Sequence, residues 1–541
     1  MGNPVRARDR ATSVLAALRG WFLSSRGWRR LLAAALLGVL SALAQAPYDL
    51  LPLLLLSVPG LYLLIEGASA SPRPLRSAFA VGMAYGIGAF GLGLYWIAFA
   101  FLVQADQFAW MIPVLVPGLV AFLSLYTALA CLLAVRLWRG RWGAVPALRA
   151  LTLAGALAFG EYLRGHLFTG FPWNVTSQAT SGWLPLAQAS AWVGPFGLSL
   201  VLLTLLILPG VALMGGRRWP WTALAFGTAA LAIPGALRLA TAPTVSTETR
   251  LVVVQPSVPQ RDKLNPALRE ANLARMVAMT EAALRRVPDG VSAYAVWPEN
   301  AYPLLAEVPS IEAGLATRMP DGASLVTGSL TAAPRGPDDY AFGNSVLVFG
   351  PTGAGRSPLA ATYDKHHLVP FGEYLPLTGL FEALGVASLA PVGAGGFTPG
   401  GGPAVIDVGP APFAPLVCYE DVFPHELYPD GDRPDWLVVV TNDAWFGDGA
   451  GPAQHLAIAQ MRAIESGLPV ARSANTGISA VIDPLGRLVT TLPLYEAGVI
   501  ETALPAPAAR TPYDRLGDAV FFVMLALVAG GPWLSGLARL G

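Results

Sequence analysis

The run Ala414-Pro415-Leu416-Val417-Cys418-Tyr419-Glu420-Asp421 sets a short apolar segment directly before a thiol and two carboxylates. Residues 415–419 read as a buried strand, because a short apolar run bounded by turn residues suits a strand covered on both faces. The thiol then sits where that strand ends. A thiol becomes a strong nucleophile only as thiolate, which an adjacent base and cation favour. Two other strand ends offer such groups. Glu299 follows the run Tyr294–Trp297 in Val296-Trp297-Pro298-Glu299-Asn300, and Lys365 lies in Tyr363-Asp364-Lys365-His366-His367-Leu368-Val369-Pro370-Phe371-Gly372-Glu373.

Working outward, further strand-like runs are Leu251–Gln255, Ser324–Gly328, Ser345–Phe349, Trp436–Thr441, Val470–Ala474 and Ser479–Ile482. Helical periodicity marks 266–286 and 453–466. Strands interleaved with helices predict an α/β layer architecture. Reactive residues in such folds gather where strands end. Residues 241–515 are therefore expected to form one water-exposed catalytic domain.

The rest of the chain has a different composition. Of 541 residues 54% are hydrophobic and only 13% charged, which departs from a soluble protein. Apolar stretches fall at 31–46, 49–66, 78–102, 108–135, 147–165, 191–214, 219–239 and 518–537, against about 20 residues needed to cross a bilayer. The expectation is about eight transmembrane helices: most in a membrane domain over 1–240, and one in a final segment, 516–541.

Alternate short connections are basic. Arg6, Arg8, Arg10, Arg19, Arg26, Arg29 and Arg30 precede the first span; Arg73 and Arg76, then Arg136, Arg139, Arg141 and Arg149, then Arg217 and Arg218 follow, and Arg539 lies in the tail. Connections 103–107 and 167–190 hold no Lys or Arg. By the positive-inside rule both termini are expected to be cytoplasmic and the catalytic domain outside. The N-terminal segment reads as an uncleaved anchor rather than a signal peptide. The net charge of +1 gives no electrostatic reason for a nucleic-acid partner. With only Cys131 in an apolar run and Cys418 in the polar half, a disulfide framework is not expected.

Glu, Lys and Cys in this order, each at a strand end, resemble the triad of the nitrilase (carbon–nitrogen hydrolase) superfamily, whose fold is an αββα sandwich. Within it, a domain of this kind flanked by many apolar spans before and one after resembles the apolipoprotein N-acyltransferases. Matching phrases include Glu161-Tyr162-Leu163-Arg164-Gly165 with Phe171-Pro172-Trp173, Pro370-Phe371-Gly372-Glu373-Tyr374, Asn442-Asp443-Ala444-Trp445-Phe446 and Arg472-Ser473-Ala474-Asn475-Thr476-Gly477. Leu264 stands where family members often carry tryptophan. The resemblance implies transfer of an acyl chain from a membrane phospholipid, through a thioester on Cys418, to the N-terminal amine of an apolipoprotein's diacylglyceryl-cysteine. It implies Glu299 as general base, Lys365 as oxyanion partner, and Glu373, Tyr419, Glu420 and Trp445 as supporting or substrate-binding residues. It further implies a monomeric multi-pass protein of the bacterial inner membrane, with a periplasmic catalytic domain and no cofactor.

Plainer readings stand beside these. A strand-end Cys is often only a small buried hydrophobe, Glu373 and Glu420 suit ordinary ion pairs, and Tyr419 suits packing. His366 and His367, as strand neighbours, are expected on opposite faces and unable to share a metal ion. The run Gly393–Gly402 lacks the Lys-Ser/Thr of a phosphate loop and reads as a flap over the site. Asn174-Val175-Thr176 matches the glycosylation pattern by chance. Glu161 and Arg164 are expected to pair across one helical turn, Trp173, Trp183 and Trp192 to anchor at the interface, and Gly82, Gly86, Gly88, Gly91 and Gly93 to allow close helix packing. Two other functions use the same residues: a membrane-tethered amidase with water as acceptor, and a lipid-binding membrane protein without turnover.

Overall fold

The computed structural model describes residues 15–143, 145–305, 311, 314–315, 318–334, 336, 340–350, 359–376 and 396–537. Arg6, Arg8, Arg10, Arg539 and the start of the glycine run at Gly393 lie outside the described residues. The chain divides into two compact units, Met1–Ala242 with Thr511–Gly541, and Pro243–Arg510.

The first unit is helical. Five helices among the described residues are long and apolar enough to cross a membrane: Leu51–Ser69, Pro74–Gly93, Ala105–Leu137, Ser190–Gly215 and Trp219–Thr241. The remaining expected spans are also helices, Gly27–Ala42, Pro146–His166 and Ala519–Leu537, yet they fall outside that set. The first is only 16 residues long, and the second carries Arg149, Glu161 and Arg164. Small residues seat these helices. A Cβ on Gly86 would strike Ser124 of the helix spanning 105–137, and one on Gly88 would strike the Ala35 backbone, so larger side chains would push the helices apart. Gly91, by contrast, faces open space.

Two expectations for this unit change. Trp173 is buried, with its ring 5.1 Å from Trp96 and 6.1 Å from Phe171. It is a core residue and not an interfacial anchor, whereas Trp183 and Trp192 are exposed. Glu161 and Arg164 are each held by the connection that follows their helix. Glu161 accepts from the Thr176 amide and hydroxyl (3.0 and 2.6 Å), and Arg164 donates to the carbonyls of Phe171 and Trp173, both at 2.6 Å.

The second unit is built on two sheets. In chain order the strands are β1 (Ser246–Gln255), β2 (Ala293–Val296), β3 (Ala323–Pro334), β4 (Tyr340–Phe349), β5 (Leu359–Asp364), β6 (Phe413–Val417), β7 (Trp436–Thr441), β8 (Val470–Ala474), β9 (Ser479–Ile482), β10 (Leu488–Leu492) and β11 (Gly498–Pro505). The six-stranded sheet runs β11-β1-β2-β3-β4-β5 and the five-stranded sheet β10-β9-β8-β7-β6. Alternation along each strand assigns the layers. Val253, Val296 and Val346 of one sheet and Phe413, Val417 and Val438 of the other share a single core, so the sheets pack face to face. Their opposite faces carry helices: Leu273, Met276 and Val277 of Arg269–Leu284 pack on Val252 and Ala295. Leu456, Ala459 and Ala463 of Gly451–Ser466 pack on Leu416 and Val439. Helix, sheet, sheet and helix make the expected αββα sandwich.

Parallel pairing of β1 with β2, β2 with β3, β6 with β7 and β7 with β8 brings several strand C-termini to corresponding edges of the sheets. Those edges hold the residues described next.

Candidate active site

Cys418 terminates β6 and begins a 3-10 turn, Cys418–Val422. The expected strand over 415–419 stops at Val417 because Cys418 has φ of +51°, a conformation that L side chains adopt only where the surroundings enforce it. Glu420 enforces it here. Its carboxylate, fully buried, accepts from the Val417 amide at 2.7 Å, the His366 amide at 2.8 Å and the Tyr363 hydroxyl at 2.9 Å. One side chain thereby ties the turn carrying Cys418 to the segment following β5 that carries Lys365. Tyr419 is buried with its ring 5.1 Å from Phe423 and 5.8 Å from His367.

Glu299 lies past β2 and Lys365 past β5, and both are buried, at 8% and 1% exposure. The Lys365 ammonium meets Glu373 Oε2 at 2.8 Å. The other oxygen of Glu373 accepts from Asn344 Nδ2 at 2.8 Å, and the same Nδ2 donates to Glu299 Oε1 at 2.7 Å. Two carboxylates thus share one amide donor beside one ammonium. Glu373 is further fixed by the Val369 amide at 2.8 Å.

Electrostatics follow from this burial. Desolvation and the neighbouring Glu373 raise the Glu299 carboxyl above its ordinary range, against the pull of Lys365 and Asn344. Burial pulls Lys365 down, but Glu373, Glu299 and Cys418 outweigh it, so its ammonium stays charged well into alkaline pH. Burial, with the Glu299 and Asp443 charges, pushes the Cys418 thiol up, opposed by Lys365 and a hydrogen bond to Thr441. At rest the group is a thiol beside a base, and ionisation must be coupled to attack.

Two members of the site were not picked out from sequence. Asn344 is a polar residue amid the apolar run of β4, and that break in the pattern was its only signal. Lys263 donates from Nζ to the Glu299 carbonyl oxygen at 2.7 Å, and burial pulls its ammonium down to about 8. Trp445 is exposed at the end of the turn Asp443–Trp445, offering apolar surface. His366 and His367 follow β5 instead of lying on it, so the expected opposite placement fails. Both rings turn to Glu426, at 3.4 and 2.7 Å.

Asn344→Ala removes the donor that holds both carboxylates. Losing a hydrogen bond to a charged group costs about 1.5–3 kcal/mol. Steady-state turnover of the variant is expected to fall about tenfold to a hundredfold. Its acidic limb should move to higher pH, since Asn344 favours ionised Glu299.

Chemically, a thiol, a carboxylate able to take its proton and a fixed ammonium suit nucleophilic acyl transfer at a carbonyl. The comparisons agree in kind. A model of the apolipoprotein N-acyltransferase N-terminal domain matches residues 37–208, and a carbon-nitrogen hydrolase model matches residues 250–513. The chain is 40% identical over 528 residues to an apolipoprotein N-acyltransferase of Rhodopseudomonas palustris, covering 95% of this chain and 97% of that one. It is 42% identical over 514 residues to that of Bradyrhizobium diazoefficiens, covering 93% and 94%. With that of Caulobacter vibrioides the identity is 37% over 514 residues, again covering 93% and 94%.

Proposed function

Because the chain belongs to the apolipoprotein N-acyltransferase family, we propose that it moves an acyl chain from a phospholipid, through a Cys418 thioester, to an apolipoprotein's N-terminal amine. In the first half, Glu299 takes the thiol proton as Sγ attacks the ester carbonyl, and returns it to the departing lysophospholipid oxygen. Lys365 and the backbone N–H of Tyr419 stabilise the oxyanion, the kind of contribution worth about 3–4 kcal/mol per donor. In the second half the α-amino group of a diacylglyceryl-cysteine attacks the thioester, and Glu299 takes its proton. Glu373 holds Lys365, Glu420 holds the Cys418 turn, Tyr419 packs against Phe423 and His367 behind that turn, and Trp445 offers surface to the acyl chains.

The observation that carries this reading is a Cys418 held at positive φ, coupled electrostatically to Glu299 and Lys365, both buried at strand ends. The membrane setting fits substrates that are themselves lipid-anchored. We read the chain as a monomeric multi-pass protein of the inner membrane with about eight spans. The alternation of basic connections supports cytoplasmic termini and a periplasmic catalytic domain over 241–515.

Incubation of the purified protein with phospholipid of one defined acyl composition, followed by intact-mass measurement, tests the acyl-enzyme. The expected result is a single acyl increment that maps to Cys418. Lipid-saturated protein without any increment would sink the proposal.

The pH dependence has a defined sign. Glu299 must be ionised to act, and its folded pKa is raised, so activity is lost as pH falls through a value above the ordinary carboxylate range. In Glu373→Gln the neighbouring negative charge is gone, and the acidic limb of kcat/KM is expected to move to lower pH. An unmoved limb would mean that another group controls it.

A further inference from the structure

The short helix Gln260–Lys263 follows β1 and has no part in the mechanism above. Buried amides clamp its approach. Gln260 Oε1 accepts from Asn442 Nδ2 at 2.8 Å, Asn475 Nδ2 donates to Asn442 Oδ1 at 3.0 Å and to the Val258 carbonyl at 2.6 Å, and the Val258 amide donates to Asn475 Oδ1 at 3.0 Å. Asn442 follows β7 and Asn475 follows β8, so the segment after β1 is tied to strand ends of the other sheet. Ser257, at the start of that segment, has φ of +52°, a cost borne only where the surroundings enforce it.

Lys263 ends this helix. A surface lysine ordinarily extends its ammonium into water, but Lys263 is half-buried and turns Nζ inward, to the Glu299 carbonyl at 2.7 Å. Among the described residues that carbonyl has no other donor. The stretch it belongs to is closely set: Asn300 has φ of +48°, and a Cβ on Gly328 of β3 would strike Glu299 Cα. The ammonium therefore lies within one side chain of the Glu299 carboxylate. Counting charges gives a reason for it. Glu299 and Glu373, joined through Asn344, set two carboxylates against the Lys365 ammonium. An excess negative charge in a buried site drives the carboxyl without its own cation toward the neutral form. Glu373 has the 2.8 Å pair with Lys365, so that carboxyl is Glu299.

We propose that Lys263 is a positioning residue for the general base: its ammonium supplies the second positive charge of the site and keeps the Glu299 carboxylate ionised, ready to take a proton. The inference rests on Glu299 being that base. Glu299 and Cys418 carry the charges that bear on Lys263, Glu373 and Lys365 lie beyond Asn344, and Arg261 and Asp262 stand beside it on its own helix. Burial pulls Lys263 down to about 8, while Glu299 titrates above the ordinary carboxylate range. Between those values both groups are charged. Above about 8 Lys263 becomes neutral and Glu299 stays ionised without it.

The test uses full-length protein in detergent with Lys263→Met, Lys263→Gln and Lys263→Arg. It follows kcat/KM against pH for acyl transfer from a defined phospholipid to a diacylglyceryl-cysteine peptide, since that profile reports the free enzyme's base. Lys263→Gln keeps a donor for the carbonyl without the charge. Both neutral variants are expected to move the acidic limb up by about one pH unit, with about a tenfold loss below it. They should meet the wild-type curve at alkaline pH, where its lysine is neutral too, and Lys263→Arg should restore the wild-type limb. A limb unmoved in the neutral variants, while wild-type protein acylates Cys418 and Glu299→Gln does not, overturns this inference alone. So does a loss equal at every pH, which makes Lys263 a structural support, or one confined to KM, which makes it a substrate contact. Glu299→Gln protein that acylates Cys418 at the wild-type rate overturns this inference together with the role of the base. Wild-type protein that never acylates Cys418 overturns the proposed function and this inference with it.

Discussion

Cys418→Ala is expected to give folded protein that takes up phospholipid but neither acquires an acyl chain nor acylates an apolipoprotein peptide. Where nucleophile, base and oxyanion partner act as a unit, removing the nucleophile costs on the order of 10^6 in kcat. A loss of that order is expected here. The substitution removes only a sulfur from a side chain that is not fully buried, so the fold should survive. The positive φ of residue 418 is a strain the wild type already bears. Acyl transfer assayed with a defined phospholipid and a diacylglyceryl-cysteine peptide measures the effect. Activity within a hundredfold of wild type would move the nucleophile elsewhere.

The second large effect belongs to Glu299→Gln. The amide oxygen can still accept from Asn344 Nδ2, which meets Glu299 Oε1 at 2.7 Å, so the geometry is kept while the base is lost. General-base catalysis contributes about 10^2–10^4-fold, and both half-reactions depend on the same carboxylate. A loss of about 10^3–10^4 in turnover is expected, with alkylation of Cys418 altered as well, because the Glu299 charge now disfavours the thiolate. Rapid-quench measurement of acyl-enzyme formation separates the first half-reaction from the second. A variant that acylates Cys418 at the wild-type rate would show that another group takes the thiol proton.

The sandwich was legible because its central strands are fully buried and most of them read as short, largely apolar runs. Trp436–Thr441, Val470–Ala474 and Ser479–Ile482 form with the bounds expected, although Arg472 and Ser473 interrupt the apolar character of the second. Three strands were not read. β5, β10 and β11 mix exposed with covered positions; such sheet margins lack the apolar run that marks a central strand. The strand-end residues Glu299, Lys365 and Cys418 stood out because reactive types followed apolar runs. Asn344 and Lys263 did not, since each draws its importance from neighbours distant in sequence: Asn344 touches Glu299 and Glu373, and Lys263 the Glu299 carbonyl. Trp173 misled for a related reason. Its position beyond a span suggested an interface, while the packing of Trp96 and Phe171 that buries it is a tertiary property.

A discharge experiment shows whether one chain carries an acyl group on Cys418 between two lipid-anchored partners. The wild-type protein is loaded from a phospholipid with a single defined acyl chain, separated from donor, and mixed with a diacylglyceryl-cysteine peptide while both masses are followed. The expected result is loss of the acyl mass from Cys418 with an equal gain on the peptide's amino terminus, faster than loss to water. An acyl group that leaves Cys418 only to water, or reaches the peptide without residing on Cys418, would contradict it.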